Sequence, residues 1–541
     1  MRRWVGALLF VLQGLGACRA RESAAPAGAS VPAADRTLTR RLFGEPGTLN
    51  AVLQTDVPEQ LVLAYVSRNL FDFDAGLHLV PGLAERIDAS ADGLVYTITL
   101  RPEAVWEDGT PVTPADAVFT IRKIADPATP APLFKPLFED FVSAEEVSDR
   151  AFRVEFRKPY AYRAMSFVLP LLPVRRFAGV PFDRAPDNRE PFANGPYRLA
   201  SWKAQESILL ERNPKAWGPR AFFDRILFRI LPENDVAYRA LVAGSLDESL
   251  IDASLKDRAA GDAAFARCCR VLEFYDLDYS YIALDTRLPF FSDARVRRAL
   301  TMLLDREGIA SHLYRGSARV ISGPWAPESP AADPAVTPLP FDPAAAARLL
   351  DAAGWRDSNG NGVRDRGGRE FDFELLVSSG NTIGREIDET FAAELGRAGI
   401  RARVRTLEWA AFVERLDSGS FEAASLASSA PDPNPDPYAY WHSSQWPPRG
   451  LNSGYYKNAE ADRLMDAART EMDEGKRLAL FHRLHRIFRD DAPAIFVVNS
   501  TKKYGLRRDL EGVEGSPLGL FAIWPGPIGW REEAANRETA P

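Results

Sequence analysis

Cysteine and histidine are scarce in this chain of 541 residues, which has three of the first and five of the second. Cys18 and the adjacent Cys268 and Cys269 are too few for a disulfide framework or a zinc cluster. The adjacent pair reads as two small apolar residues at the edge of a strand, with a vicinal disulfide as the alternative. Only His482 and His485 fall three apart on a helical pattern, and no carboxylate set accompanies them as a metal would need. Gly-x-Ser-x-Gly, His-Glu-x-x-His and a phosphate loop are absent, so no catalytic machinery is visible, no enzyme is expected and no cofactor is implied. Long hydrophobic runs are absent too. Residues 5–12, behind Arg2-Arg3, are too short a run to span a bilayer and read as an export signal. Excess positive charge is also missing: a net charge of −7 argues against a nucleic-acid partner, which favours basic faces.

What the chain has is length and aromatic surface. It exceeds a single hydrophobic core and is expected to divide into at least two lobes. Its 11 Trp and 31 Phe supply a core or an apolar ligand cleft. Residues 77–124 read as strand, turn, strand, turn, helix. Alternation over 94–100 suits a half-buried strand, and Asp92-Gly93 before it is turn chemistry. Trp106 reads as an apolar plug. Thr113, Pro114 and Asp116 read as N-cap, first-turn proline and a variant capping box.

Further strands fall at 151–157, 226–231, 371–377 and 399–404, with helices at 235–244, 343–354 and 385–396 between them. This β-α-β order predicts α/β lobes. Gly195-Pro196 reads as a tight turn, and Arg295, Arg297 and Arg298 as a solvated helical face. Residues 357–365 space oxygens like a calcium loop, but Gly368 stands where the bidentate glutamate belongs, so a turn without metal is favoured. Residues 421–441 carry prolines that forbid helix and aspartates that follow a strand, where α/β folds place ligands.

Three words in order, Val80-Pro81-Gly82-Leu83-Ala84-Glu85, Asp92-Gly93-Leu94-Val95-Tyr96-Thr97 and Asp108-Gly109-Thr110-Pro111-Val112-Thr113, carry a resemblance. They closely resemble the signature of family 5 extracellular solute-binding proteins, the dipeptide-, oligopeptide- and nickel-binding receptors of bacterial ABC importers. Asn194-Gly195-Pro196-Tyr197, Glu211-Arg212-Asn213-Pro214 and Glu408-Trp409 with Phe412 are similar to further family words, and the likeness covers nearly all of 38–530. Leu15-Gly16-Ala17-Cys18 resembles a lipobox, in which the cysteine thiol is acylated; an ordinary signal peptide is the alternative.

The resemblance implies an α/β, two-lobed periplasmic-binding-protein fold of class II, the large peptide-binding type, with the ligand cleft between lobes and an extra subdomain in lobe I. The expected division is a signal peptide at 1–17, a flexible tether at 18–36 and lobe I at 37–278 with the insert at about 50–190. Lobe II follows at 279–491, a return segment to lobe I at 492–531 and a disordered tail at 532–541. The implied protein is a monomeric receptor held to a bacterial membrane through Cys18, periplasmic or on the cell surface. It captures short peptides by lobe closure and delivers them to an ABC permease and its ATPase. A peptide sensor or chaperone without transport, or a site for a sugar, cyclic peptide or metal chelate, is the alternative.

In peptide-binding members an aspartate three residues before an (Asp/Glu)-Pro pair receives the peptide amino terminus. Here the pair is Asp436-Pro437, Pro433 holds that place, and Asp432 lies one residue further back. Small residues at 427–429 replace the tryptophan that often precedes this site. Residues 378–384 lack the arginine that takes the peptide carboxylate in dipeptide receptors, and Arg385 is the nearest substitute. The implied contacts are therefore Asp432 to an amine, Arg385 to a carboxylate, and Trp409, Tyr440, Trp441, Asn69 and Phe71 around the side chains. Membership of the core is the alternative for each aromatic.

Overall fold

The computed structural model describes residues 36–177, 179–428, 433–447 and 450–533. The expected signal peptide, Cys18, all but the last residue of the tether, and Asp432 lie outside the described residues. Two mixed sheets organise the rest. The first runs in the order Cys269–Tyr275, Val498–Arg507, Glu248–Leu250, Thr37–Leu42, Arg225–Ile230, Ser207–Arg212, Tyr197–Lys203. The second runs Arg401–Leu407, Asp372–Ser378, Ala423–Ser428, Tyr279–Leu284, Ala494–Phe496. The chain leaves the first sheet after Tyr275, enters the second at Tyr279, and returns between Phe496 and Val498. The return comes later than the 492 expected, because Ala494–Phe496 still pairs with Tyr281, Ile282 and Ala283 of lobe II.

The insert in lobe I is a four-stranded antiparallel sheet, Ala84–Ala89, Val95–Leu100, Ala151–Phe156, Phe141–Glu146. Alternation places Tyr96, Ile98 and Leu100 in its core, with Trp106 1% exposed beside them. Helix Pro114–Ala125 covers that core, and Asp116 fastens its start. The Asp116 carboxylate accepts the Thr113 N–H at 2.9 Å and the Val174 N–H at 2.9 Å. One acid therefore caps the helix and anchors the neighbouring segment.

Gly195 makes a close approach rather than a turn with positive φ. A Cβ there would sit 2.6 Å from the Tyr65 carbonyl oxygen and 2.8 Å from that of Val66. Both atoms belong to helix Val57–Val66, on whose last carbonyl the Asn194 and Gly195 N–H groups dock at 3.2 and 2.9 Å. Gly195→Ala is expected to cost about 2–4 kcal/mol by denaturant titration, since backbone must move on both sides. Gly396→Ala, in helix Thr382–Arg397 with nothing within 4 Å of its added Cβ, is expected to gain up to about 1 kcal/mol. Equal effects at the two sites would refute the close-approach argument.

Three local expectations are corrected or sharpened. Cys268 and Cys269 are joined as a vicinal disulfide, not two separate apolar residues, although Cys269 is buried and does open an edge strand. Arg297 is not solvated. It is 5% exposed and donates to the carbonyls of Phe291 at 2.8 Å and of Asp491 and Ala492 at 3.0 Å, tying lobe II helix ends together. In the 357–365 loop, the Asp357 carboxylate accepts the N–H groups of Gly360, Asn361 and Gly362 at 2.7, 3.1 and 2.9 Å, so the loop closes on its own backbone. Among the described residues no helix is long and apolar enough to cross a membrane.

Candidate functional site

Strands Asp372–Ser378, Arg401–Leu407 and Ala423–Ser428 run parallel, and their carboxyl ends share one end of the second sheet. Tyr279, where the chain enters from lobe I, pairs with Ser428 at that same end. The loops leaving it therefore face lobe I. Open α/β sheets place ligands outside the carboxyl ends of their strands.

Three of the expected contacts are gathered there. Trp409 is the first residue of helix Trp409–Asp417; it is 66% exposed and stacked on Phe412, with ring centroids 6.0 Å apart. Arg385, in the first turns of helix Thr382–Arg397, is exposed and lies 3.9 Å from Glu389. Tyr440 is half-buried in the short helix Tyr438–Trp441.

The two remaining aromatics turn into the core. Trp441 is 4% exposed and packs on Tyr281, Phe488 and Phe496 with centroids 5.3–5.9 Å apart, inside the lobe II core. Phe71 is 3% exposed in the core of the insert. Both have given their surface to packing, which leaves little for a ligand. Asn69 is half-buried and donates to Asp72 at 2.9 Å.

Sequence reasoning quoted Asp436-Pro437 as a landmark and missed what Asp436 does. Its side chain is 6% exposed, 3.1 Å from Arg469, and accepts the Tyr438 N–H at 3.1 Å and the Tyr160 hydroxyl at 3.2 Å. Burial pushes its pKa up, against the pull of Arg469. Tyr160 comes from lobe I, in the aromatic Pro159-Tyr160-Ala161-Tyr162 run, which was the available signal. Beneath the same sheet end Asp388 is wholly buried and accepts the Ser425 hydroxyl at 2.5 Å; burial pushes it up to about 7. Two open cavities of about 440 and 430 Å³ lie away from this end. One is at the opposite end of the second sheet, beside Asp285, Arg287, Glu374 and Phe421, and the other is in lobe I beside Arg176, Phe192 and Trp202.

The family model for bacterial extracellular solute-binding proteins, family 5 (Middle), matches residues 78–448. The chain belongs to this family. As a family 5 solute-binding protein it is an extracytoplasmic receptor rather than an enzyme, and its two lobes are those of the family's solved structures. It is 27% identical over 530 residues to the oligopeptide-binding protein AppA of Bacillus subtilis, covering 94% of each chain. It is 25% identical over 489 residues to heme-binding protein A of Haemophilus influenzae, covering 85% of this chain and 86% of that one. The structure of Bacillus subtilis AppA with a nonapeptide superposes with a TM-score of 0.75 at 26% identity, over 92% of this chain and 99% of that one. NikA of Brucella suis with Fe(III)-EDTA shares the fold, with a TM-score of 0.81 at 22% identity over 92% and 100% of the two chains.

Proposed function

We propose that this solute-binding protein captures short peptides between its lobes and hands them to the permease of an ABC importer, whose ATPase drives uptake. The observation that carries the reading is the end-to-end similarity to an oligopeptide-binding protein whose structure holds a nonapeptide. Trp409 and Tyr440 pack against peptide side chains, Arg385 takes the carboxylate, and Asp432 receives the amino terminus. An ion pair counts for more in a cleft that excludes water. Ligand touching both lobes favours the closed state only by its differential affinity for it, and closure creates the surface a permease recognises. The receptor acts as a monomer anchored through acylated Cys18, with enough acyl chains for stable attachment. A non-peptide solute is the second reading, favoured by Pro433 at the place of the peptide-binding aspartate and by the missing arginine at 378–384.

Native mass spectrometry of the protein purified without denaturation, with released ligand fragmented, separates the two. A mixture of short peptides is expected, and Asp432→Ala is then expected to weaken peptide binding at least tenfold by calorimetry. A single non-peptide compound would overturn the peptide assignment and leave the family intact.

A further inference from the structure

Away from the two crossings, and from the Lys256–Ser317 and Asp257–Arg315 contacts beside them, the described lobes meet again. After strand Ala151–Phe156, the insert brings residues 160–162 against lobe II. The Ala161 N–H donates to the Arg469 carbonyl at 2.7 Å, a backbone bond between lobes. The Tyr160 hydroxyl donates to Asp436 at 3.2 Å and receives the Asn434 amide at 2.6 Å. The Tyr162 ring is buried among lobe II aromatics, and its hydroxyl receives Arg477 Nε at 3.0 Å. The Arg469 guanidinium lies 4.0 Å from the Tyr438 ring centroid and 5.2 Å from that of Tyr160. Beside this contact, the Asp92-Gly93 turn packs so close to Met472 that a Cβ on Gly93 would overlap its methyl.

We propose that residues 160–162 form a latch between the lobes, and that Tyr160 is a positioning residue for the 434–437 segment at the ligand end of the lobe II sheet. The latch adds two phenol hydroxyls aimed at buried charged groups, Asp436, which pairs with the half-buried Arg469, and Arg477. Hydrogen bonds to buried charges are among the stronger ones available, and opening the cleft breaks them together. The Asp436 N–H also bonds the Asn434 side chain at 3.1 Å, so one hydroxyl from lobe I holds a small preformed turn of lobe II. Closure and the shape of this segment are therefore a single event. The inference does not depend on which solute the cleft takes.

Hydrogen–deuterium exchange on the ligand-free full-length protein tests it. Tyr160→Phe with Tyr162→Phe keeps both rings and removes both hydroxyls. Exchange is expected to speed at least tenfold at the Ala161 amide in lobe I and at the Asp436 and Tyr438 amides in lobe II. Strands Val95–Leu100 and Tyr279–Leu284 should keep wild-type rates. Asn434→Ala, which leaves both tyrosines in place, frees the Asp436 amide directly and is therefore read at the Ala161 amide, where a smaller acceleration is expected. Unchanged exchange at the Ala161 and Tyr438 amides in the double variant, and at Ala161 in Asn434→Ala, would overturn the latch. So would acceleration spread through the core of the insert, since that would mean general loosening.

Discussion

Asp388→Asn is expected to gain stability relative to wild type by up to about 4 kcal/mol as pH rises from 4 to 8, at about 1.36 kcal/mol for each pKa unit. Asp388 is 0% exposed, its one described hydrogen bond comes from Ser425, and its Oδ2 is buried without a partner. Burial raises its pKa from 3.8 to about 7. The folded protein therefore keeps a proton that the unfolded chain releases. This contribution to stability is full below about pH 4, fades as pH rises through 7, and is absent above that. Asparagine cannot ionise, and its carbonyl can still accept the Ser425 hydroxyl.

His485 acts in the opposite sense over part of the same range. It is 2% exposed, its Nδ1 accepts the Asp333 N–H and its Nε2 meets the Ser322 hydroxyl, both at 2.9 Å, and burial lowers its pKa from 6.5 to about 4. The neutral ring stabilises the fold above pH 6.5, and that stabilisation is lost as pH falls through 4. In wild type the two slopes oppose each other, so removing Asp388 should uncover acid destabilisation from His485. Urea titrations at pH 4, 6 and 8 on both proteins measure this. Groups common to both, such as Asp276, which burial pushes up to about 6, drop out of the difference. Parallel profiles for variant and wild type would sink the claim.

The parts of the fold legible in the sequence are those whose causes lie within a few residues. Tyr96, Ile98 and Leu100 declare a strand by alternation, and Thr113 with Asp116 declares a helix start; both stand as read. The two-lobed plan followed from the resemblance, and the family's solved structures share it. Long-range partners were not legible. Tyr160 and Asp436 are separated by 276 positions, and nothing near either residue names the other. Nor does local pattern say which way an aromatic turns. Trp409 and Trp441 both stand beside loops at one end of a sheet, yet the first begins an amphipathic helix and faces out, while the second fills a gap between Phe488 and Phe496. Gly195 lies in a bend, as read, but sequence could not show that helix Val57–Val66 also comes close to it.

Arg40 shows the same limit with a larger energy attached, and Glu248→Gln is expected to destabilise lobe I by about 3–5 kcal/mol. Strand Thr37–Leu42 points Leu38, Arg40 and Leu42 to one face, and all three are 0% exposed. A pattern reading would turn the arginine outward. It stays inside because Glu248, on a neighbouring strand, lies 3.0 Å from its Nε, the Tyr65 hydroxyl lies 3.0 Å from Nη1, and the Phe521 ring centroid is 3.9 Å from the guanidinium carbon. Burial pushes the Tyr65 pKa up to about 12, so the phenol stays neutral and cannot replace the carboxylate. Guanidinium cannot shed its proton either. Glutamine therefore leaves a full positive charge in an apolar interior. Replacing both partners, Arg40→Met with Glu248→Leu, removes the charge together with its counter-charge and should recover most of the loss. Glu248 pairs with both Arg40 and Leu506, so the damage falls on the strands that lead to the return crossing. Calorimetric unfolding of the single variant should show an early lobe I transition separating from a lobe II transition near the wild-type temperature. A single transition displaced by less than about 1 kcal/mol, or a double variant no better than the single one, would show that the pair is screened after all.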